Sequence, residues 1–225
     1  MKPGLLKKWW SYITDVHIES MSSPYNESIH VLLSKGRYQL CTPNAIYSYA
    51  DKYTNFRGVF ERLNMGSPPL ETVLILGFGL GSIPYMLEKV FKKEMIYTGV
   101  EIDETVIYLA SKYVLGELVS DIELIHSDAW TFMVQNTTKY DIICVDVFVD
   151  DQIPRVFCEK EFLDLAQASL ITHGILLFNH LGLTTRDISK ARKYFDEVFV
   201  KVFKDGTMLQ IEGNVMMISD KKRIS

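Results

Sequence analysis

No run of about 18 uninterrupted apolar residues occurs anywhere in the chain, so nothing in it reads as a membrane-spanning helix. The opening MKPGLLKKWWSYITDVHIES has too short an apolar core for a secretory signal. Cysteine is scarce: Cys41, Cys144 and Cys158 are odd in number, lack metal-ligand spacing, and fit free thiols in a reducing compartment. The expected location is therefore cytoplasmic, with no disulfide framework and no metal site. Basic residues are not in excess either. Lys and Arg total 24 against 28 Asp and Glu, a formal net charge of -4, and the basic residues are scattered rather than striped. That distribution argues against nucleic acid as a partner. Internal repeats and low-complexity tracts are absent.

What is present suits a globular fold: 225 residues, 48% hydrophobic and 23% charged. Residues 15–49 hold the β-type runs VHIESM, SIHVLL, RYQLCT and AIYSYA, punctuated by SSPYNE, SKG and PN, the pattern of a small antiparallel sheet. DKYTNFRGVFERLNM then spaces Tyr53, Phe56, Val59, Phe60 and Leu63 helically, with Asp51 as the expected N-cap, and stops at GSPP. Together, residues 1–66 read as a small N-terminal β domain plus a helix. From residue 70 to 225 the pattern becomes alternating strands and helices: TVLILG, MIYTGVEID, IELIHSD, YDIICVDVF and GILLFNHLG, each followed by a helical stretch. The chain closes with FVKVFKDGTMLQIEGNVMMISD, read as two β runs joined across DGTMLQIEG. Such alternation predicts a doubly wound α/β domain with a mostly parallel sheet, and the final hairpin predicts one antiparallel strand.

Ligands of such sheets bind at the carboxyl ends of the strands. Those ends carry Gly77, Gly79 and Gly81 after the first strand, Glu101, Ile102 and Asp103 after the second, Asp128 and Ala129 after the third, and Asp146 after the fourth, with Asp150 and Asp151 behind it. Glycines there would admit a ligand without Cβ clashes and offer N–H groups near a helix start. Glu101 could accept the hydroxyls of a ribose and Asp128 an adenine amine, which defines a nucleoside cradle. Each acid also has a plainer role as a helix cap or first-turn charge. Tyr47, Tyr49 and Tyr53 are candidates to line an acceptor pocket, or to pack. His126 and His180 read as surface or edge residues, and Trp9 and Trp10 as packing against the sheet or another subunit.

VLILGFGLGS, GVEID, IHSDAWTFM, YDIICVDVF and FLDLAQASLITHGILLFN resemble the successive motifs of class I S-adenosylmethionine-dependent methyltransferases, most closely those of the spermidine synthase branch. SPYNESIHVLLSKGRYQLCTPNAIYSYADKYTNF resembles that branch's N-terminal β domain. The resemblance implies a Rossmann-like seven-stranded sheet with its last strand antiparallel. It implies binding of S-adenosylmethionine, its decarboxylated form or methylthioadenosine, with Glu101 at the ribose, Asp128 and Ala129 at the adenine, and Asp146 at the reacting centre. It also implies a small-molecule acceptor and a possible homodimer. Several positions depart from the branch. Leu80 replaces the acid of its glycine motif, Tyr47 its usual Gln, and Phe56, Arg57 and Gly58 its Tyr-His-Glu run. The acid after Asp146 is displaced to Asp150 or Asp151, and Ile75 stands where methyltransferases often carry an acid. Because of Leu80 and the lost Tyr-His-Glu run, transfer of a methyl group is expected ahead of an aminopropyl group. Two alternatives stay open: a non-catalytic nucleoside-binding protein of the same fold, and a nicotinamide-dependent oxidoreductase, since GFGLGS and the later Glu101 partly mimic a dinucleotide fingerprint.

Overall fold

The computed structural model describes residues 3–43, 45–66, 68–149 and 152–224. Four short strands, β1 (Val16–Met21), β2 (Ile29–Ser34), β3 (Arg37–Cys41) and β4 (Ile46–Ser48), form an antiparallel sheet in that order. A helix α1 (Leu5–Trp10) precedes them and α2 (Thr54–Phe60) follows. The expected helix start at Asp51 is corrected. Asp51 is instead drawn into an ion pair with Arg37 Nε at 2.6 Å, Ala50 takes a positive φ, and Tyr53 occupies the N-cap.

The second sheet holds β5 (Thr72–Leu76), β6 (Ile96–Glu101), β7 (Asp121–His126), β8 (Tyr140–Val145), β9 (Leu170–Leu181), β10 (Thr207–Ile211) and β11 (Asn214–Ile218). Their spatial order is β10-β11-β9-β8-β5-β6-β7; β11 runs antiparallel to both neighbours and the other adjacent pairs are parallel. The unbroken apolar runs of β5 and β8 occupy the centre because both faces there are covered. Alternation along β5 sends Val73 and Ile75 into one core and Leu74 and Leu76 into the other. The first core takes α2, α3 (Ser82–Tyr85) and α4 (Glu104–Tyr113), and it is continuous with the N-terminal sheet. The second takes α5 (Ala129–Gln135), α6 (Lys160–Ala168) and α7 (Thr185–Tyr194). The closing hairpin differs from expectation at its first strand. FVKVF belongs to a helical continuation of α7, and TMLQI is a strand, with the turn confined to Glu212 and Gly213. Val and Phe spaced to fill either period made that segment ambiguous.

Side chains lock the two sheets together. Glu19 on β1 accepts from Lys112 Nζ at 2.9 Å and the Tyr113 hydroxyl at 2.6 Å, and the hydroxyls of Ser48 and Ser82 lie 2.6 Å apart. Buried Arg223 donates to the carbonyls of Asn64, Pro68 and His173, tying the C-terminal segment to the linker. No helix among the described residues is long and apolar enough to cross a membrane.

Candidate active site

A cavity of about 480 Å³ lies where the carboxyl ends of β5 to β9 meet β4 and the start of α2. Gly77, Gly79, Glu101, Ile102, Asp128, Ala129, Asp146 and Tyr47 all line it. Asp150 and Asp151 lie outside the described residues.

The glycine turn works differently from expectation. All three amides are consumed internally: Gly77 N–H donates to the Val100 carbonyl, Gly79 N–H to Glu101 Oε2, and Gly81 N–H to the Phe78 carbonyl, each at 3.0 Å. A Cβ on Gly77 would sit 2.2 Å from the Asp146 carbonyl oxygen, at φ +84°. Glycine is needed there because the end of β8 presses on the turn. Gly81 is absent from the cavity lining; its positive φ starts α3, beside the Phe78 ring. Leu80 is buried and is also off the lining. Phe78 folds back over Gly99 of β6, where any Cβ would meet its ring at 2.4 Å.

Glu101 is built into the turn. Besides Gly79, its carboxylate accepts from the amides of Ile102 at 3.0 Å and Asp103 at 3.2 Å. Three of roughly four lone-pair positions are thereby used, so one ribose hydroxyl can be received rather than two. Burial raises its pKa, against the lowering pull of those amides. Asp103 caps α4 through the Thr105 amide at 2.9 Å. Its other oxygen accepts from Ser23 at 2.5 Å and Asn26 at 3.2 Å, and Asn26 in turn accepts from the Tyr47 hydroxyl. Asp128 caps α5 through one oxygen, bonded to the Thr131 amide and hydroxyl, and leaves Oδ2 without a partner among the described residues. The cap therefore leaves one carboxylate oxygen available to a donor in the cavity.

Asp146 has the most developed surroundings. The Tyr53 hydroxyl donates to Oδ2 and Asn179 Nδ2 donates to Oδ1, both at 2.8 Å. Burial raises its pKa from 3.8 to about 6, restrained by those two bonds. Burial also keeps Tyr53 protonated, with its pKa well above the ordinary value. Asn179 is itself buried, lines the cavity, and its Oδ1 has no hydrogen-bond partner among the described residues. Among the described residues, the lining carries four carboxylates (Glu101, Asp103, Asp128 and Asp146) against one cationic side chain, Lys52. Such a cavity favours cationic ligands.

Sequence reasoning missed Asn179 and Asn26. A lone amide inside the apolar run GILLFNHL, at the carboxyl end of a strand, was the available signal for Asn179; Asn26, in a loop of the other sheet, had none. The Tyr53 contact depends on β4 and α2 folding over the main sheet. His180 is buried on the opposite side of β9 between the rings of Phe178 and Tyr194, which holds it neutral with a pKa near 3, rather than at an edge. His126 is exposed, with Nε2 at 3.0 Å from the Ile102 carbonyl. Trp9 and Trp10 point outward rather than packing on a sheet.

The cleft lies at the carboxyl ends of a mostly parallel sheet with one reversed strand, a Rossmann-like α/β architecture. The Spermine/spermidine synthase domain matches residues 63–221, and the chain belongs to that family. A "Probable polyamine aminopropyl transferase" of Bifidobacterium longum (strain NCC 2705) is 26% identical over 168 residues, which covers 73% of this chain and 37% of the relative. A "Polyamine aminopropyltransferase" of Vibrio vulnificus (strain CMCP6) is 29% identical over 159 residues, 68% of this chain and 51% of the relative. The chain thus spans between a third and about half of the length of these curated relatives. Among solved structures, a spermidine synthase in complex with the transition-state analogue AdoDATO superposes with a TM-score of 0.72 at 17% identity, covering 93% of this chain and 77% of that one. That likeness establishes the fold.

Proposed function

We propose that the chain transfers an aminopropyl group from decarboxylated S-adenosylmethionine to the nitrogen of a small amine. The observation that carries this is the Asp146 carboxylate, flanked by Tyr53 and Asn179, in an acid-rich cavity beside the nucleoside cradle. In such a transfer the amine lone pair forms the new C–N bond, the C–S bond breaks with its electrons going to sulfur, and the amine surrenders one proton. Asp146 would hold the amine and take that proton. A primary amine with a pKa of about 10.4 gives a proton to an ordinary carboxylate only at a cost of roughly 9 kcal/mol; at a pKa of about 6 the cost falls to roughly 6 kcal/mol. The rest of the barrier would be met by alignment and exclusion of water.

Methyl transfer, placed first by the sequence, is the second reading. Leu80 favours it, since it stands where an acid would engage a donor amine, and Lys52 could pair with an amino-acid carboxylate. The acid-rich lining and the names of the relatives support the aminopropyl reading. A nicotinamide oxidoreductase is disfavoured because Asp128, Asp146 and the reversed β11 have no part in such a site. The test is product analysis after incubation with decarboxylated S-adenosylmethionine or S-adenosylmethionine and an amine panel. Methylthioadenosine is the expected product; S-adenosylhomocysteine would install the methyl reading, and tight nucleoside binding with neither product would make this a binding protein.

A further inference from the structure

The helix α1 is mounted the opposite way from a core-facing helix. At about 100° per residue, Leu5, Leu6, Trp9 and Trp10 fall within one arc of about 140°, while Lys7, Lys8 and Ser11 occupy the other side. The helical turn carries on far enough, through the Ile13 amide to the Trp10 carbonyl at 2.9 Å, to add Ile13 to the apolar arc. An amphipathic helix of a globular domain ordinarily turns such an arc inward. Here the polar side is the one held against the protein. Ser11 is buried: its hydroxyl accepts from the Gly36 amide at 2.9 Å and its carbonyl from the Lys35 amide at 2.8 Å, which pins the segment to the β2–β3 turn. Lys8 lines a small cavity of about 70 Å³ together with Arg37, Tyr38 and Glu117. No residue of α1 is buried, and with Tyr12 and Ile13 the patch holds six large side chains that are between 53% and 87% exposed. Contiguous apolar surface on that scale marks an interaction site.

Charge and composition indicate what the patch meets. Residues 3–14 contain two lysines and no acid, and exposed Lys35 adjoins them at Ser11, although the chain as a whole has a formal net charge of -4. Trp and Tyr beside Leu and Ile, rimmed by Lys, is the composition of a segment that rests at the boundary between lipid headgroups and acyl chains. An isologous pairing of two copies through this face would instead gather both sets of lysines at one contact, with no acid from residues 3–14 to answer them. We propose that this face docks on an anionic lipid surface, with Leu5, Leu6, Trp9, Trp10 and Ile13 entering the headgroup boundary and Lys7 and Lys35 meeting the lipid phosphates. A helix of 6 residues is about 9 Å long, so it lies on such a surface and does not cross it.

The test is co-sedimentation of the full chain with phosphatidylcholine vesicles containing about one quarter phosphatidylglycerol, and with vesicles of phosphatidylcholine alone. Binding to the anionic vesicles is expected to be at least about tenfold tighter than to the neutral ones and to weaken as salt is added. A blue shift of tryptophan emission should accompany it, because two of the three tryptophans lie in the patch. Lys7→Glu should weaken binding to the anionic vesicles at least about fivefold. Trp9→Ser combined with Trp10→Ser should abolish it, and all three positions are exposed, where folding tolerates substitution. Absence of binding by the parent chain, equal binding to both kinds of vesicle, or binding that survives the tryptophan replacements overturns the proposal. So does a dimer in sedimentation velocity without vesicles that those replacements dissociate, which would give the face to a second copy of the chain.

Discussion

Asp146 is held between two donors on the partly exposed wall of the cavity, and its raised pKa carries a sign. The folded state binds this proton more tightly than the unfolded chain, so between about pH 4 and pH 6 stability falls as pH rises. At neutral pH the deficit approaches roughly 3 kcal/mol. Asp146→Asn should therefore unfold at higher temperature than the parent at pH 7.5 and lose that advantage at pH 4, while transfer is abolished. Thermal scans at both pH values check the first, and turnover the second. In the parent, the rate should rise with pH through an apparent pKa near 6 as the base ionises, and a flat profile would remove Asp146 from proton transfer. Glu101 stands differently, since three amides already point at its oxygens. Glu101→Gln sets an NH2 group against those amides and should weaken nucleoside binding by about 1.5–3 kcal/mol, read by calorimetry with methylthioadenosine.

At the scale of elements, the turn between β5 and α3 is shaped by its neighbours in the protein. Gly77 yields to the backbone of Asp146, Gly79 to Ser48 and Tyr47 of β4, and Gly99 to the Phe78 ring. Gly77→Ala would place a methyl against a carbonyl that cannot move without displacing β8, in a backbone region that L side chains avoid. It should cost at least about 3 kcal/mol in urea unfolding, more than a ligand-clearance role alone would predict. The helices follow local chemistry more simply: Asp103, Asp128 and the Thr184–Asp187 capping box begin α4, α5 and α7.

Across the whole molecule, the site exists only because the small sheet closes over the large one. Asp103 is one hinge pin of that closure, joining Ser23 and Asn26 to the start of α4. Asp103→Ala removes the cap and strands two donors, so a loss of about 2–4 kcal/mol is expected in chemical denaturation. Because Asn26 also receives the Tyr47 hydroxyl at the cavity wall, amine binding should weaken in the same variant.

Local pattern carried much of this. Apolar runs and helical spacing announced the order of strands and helices, and the position of acids at strand ends announced that they would gather at one cleft, because both depend on periods of two and 3.6 residues that any window of the chain displays. The partners of those acids were not legible. Tyr53 and Asn179 lie 93 and 33 residues from Asp146, and Gly79 lies 22 from Glu101. Hydrogen bonds across such separations form only once strands pair and layers pack, so the tertiary structure alone decided which acid has its pKa raised, which is consumed by backbone, and which glycines serve the protein's own packing.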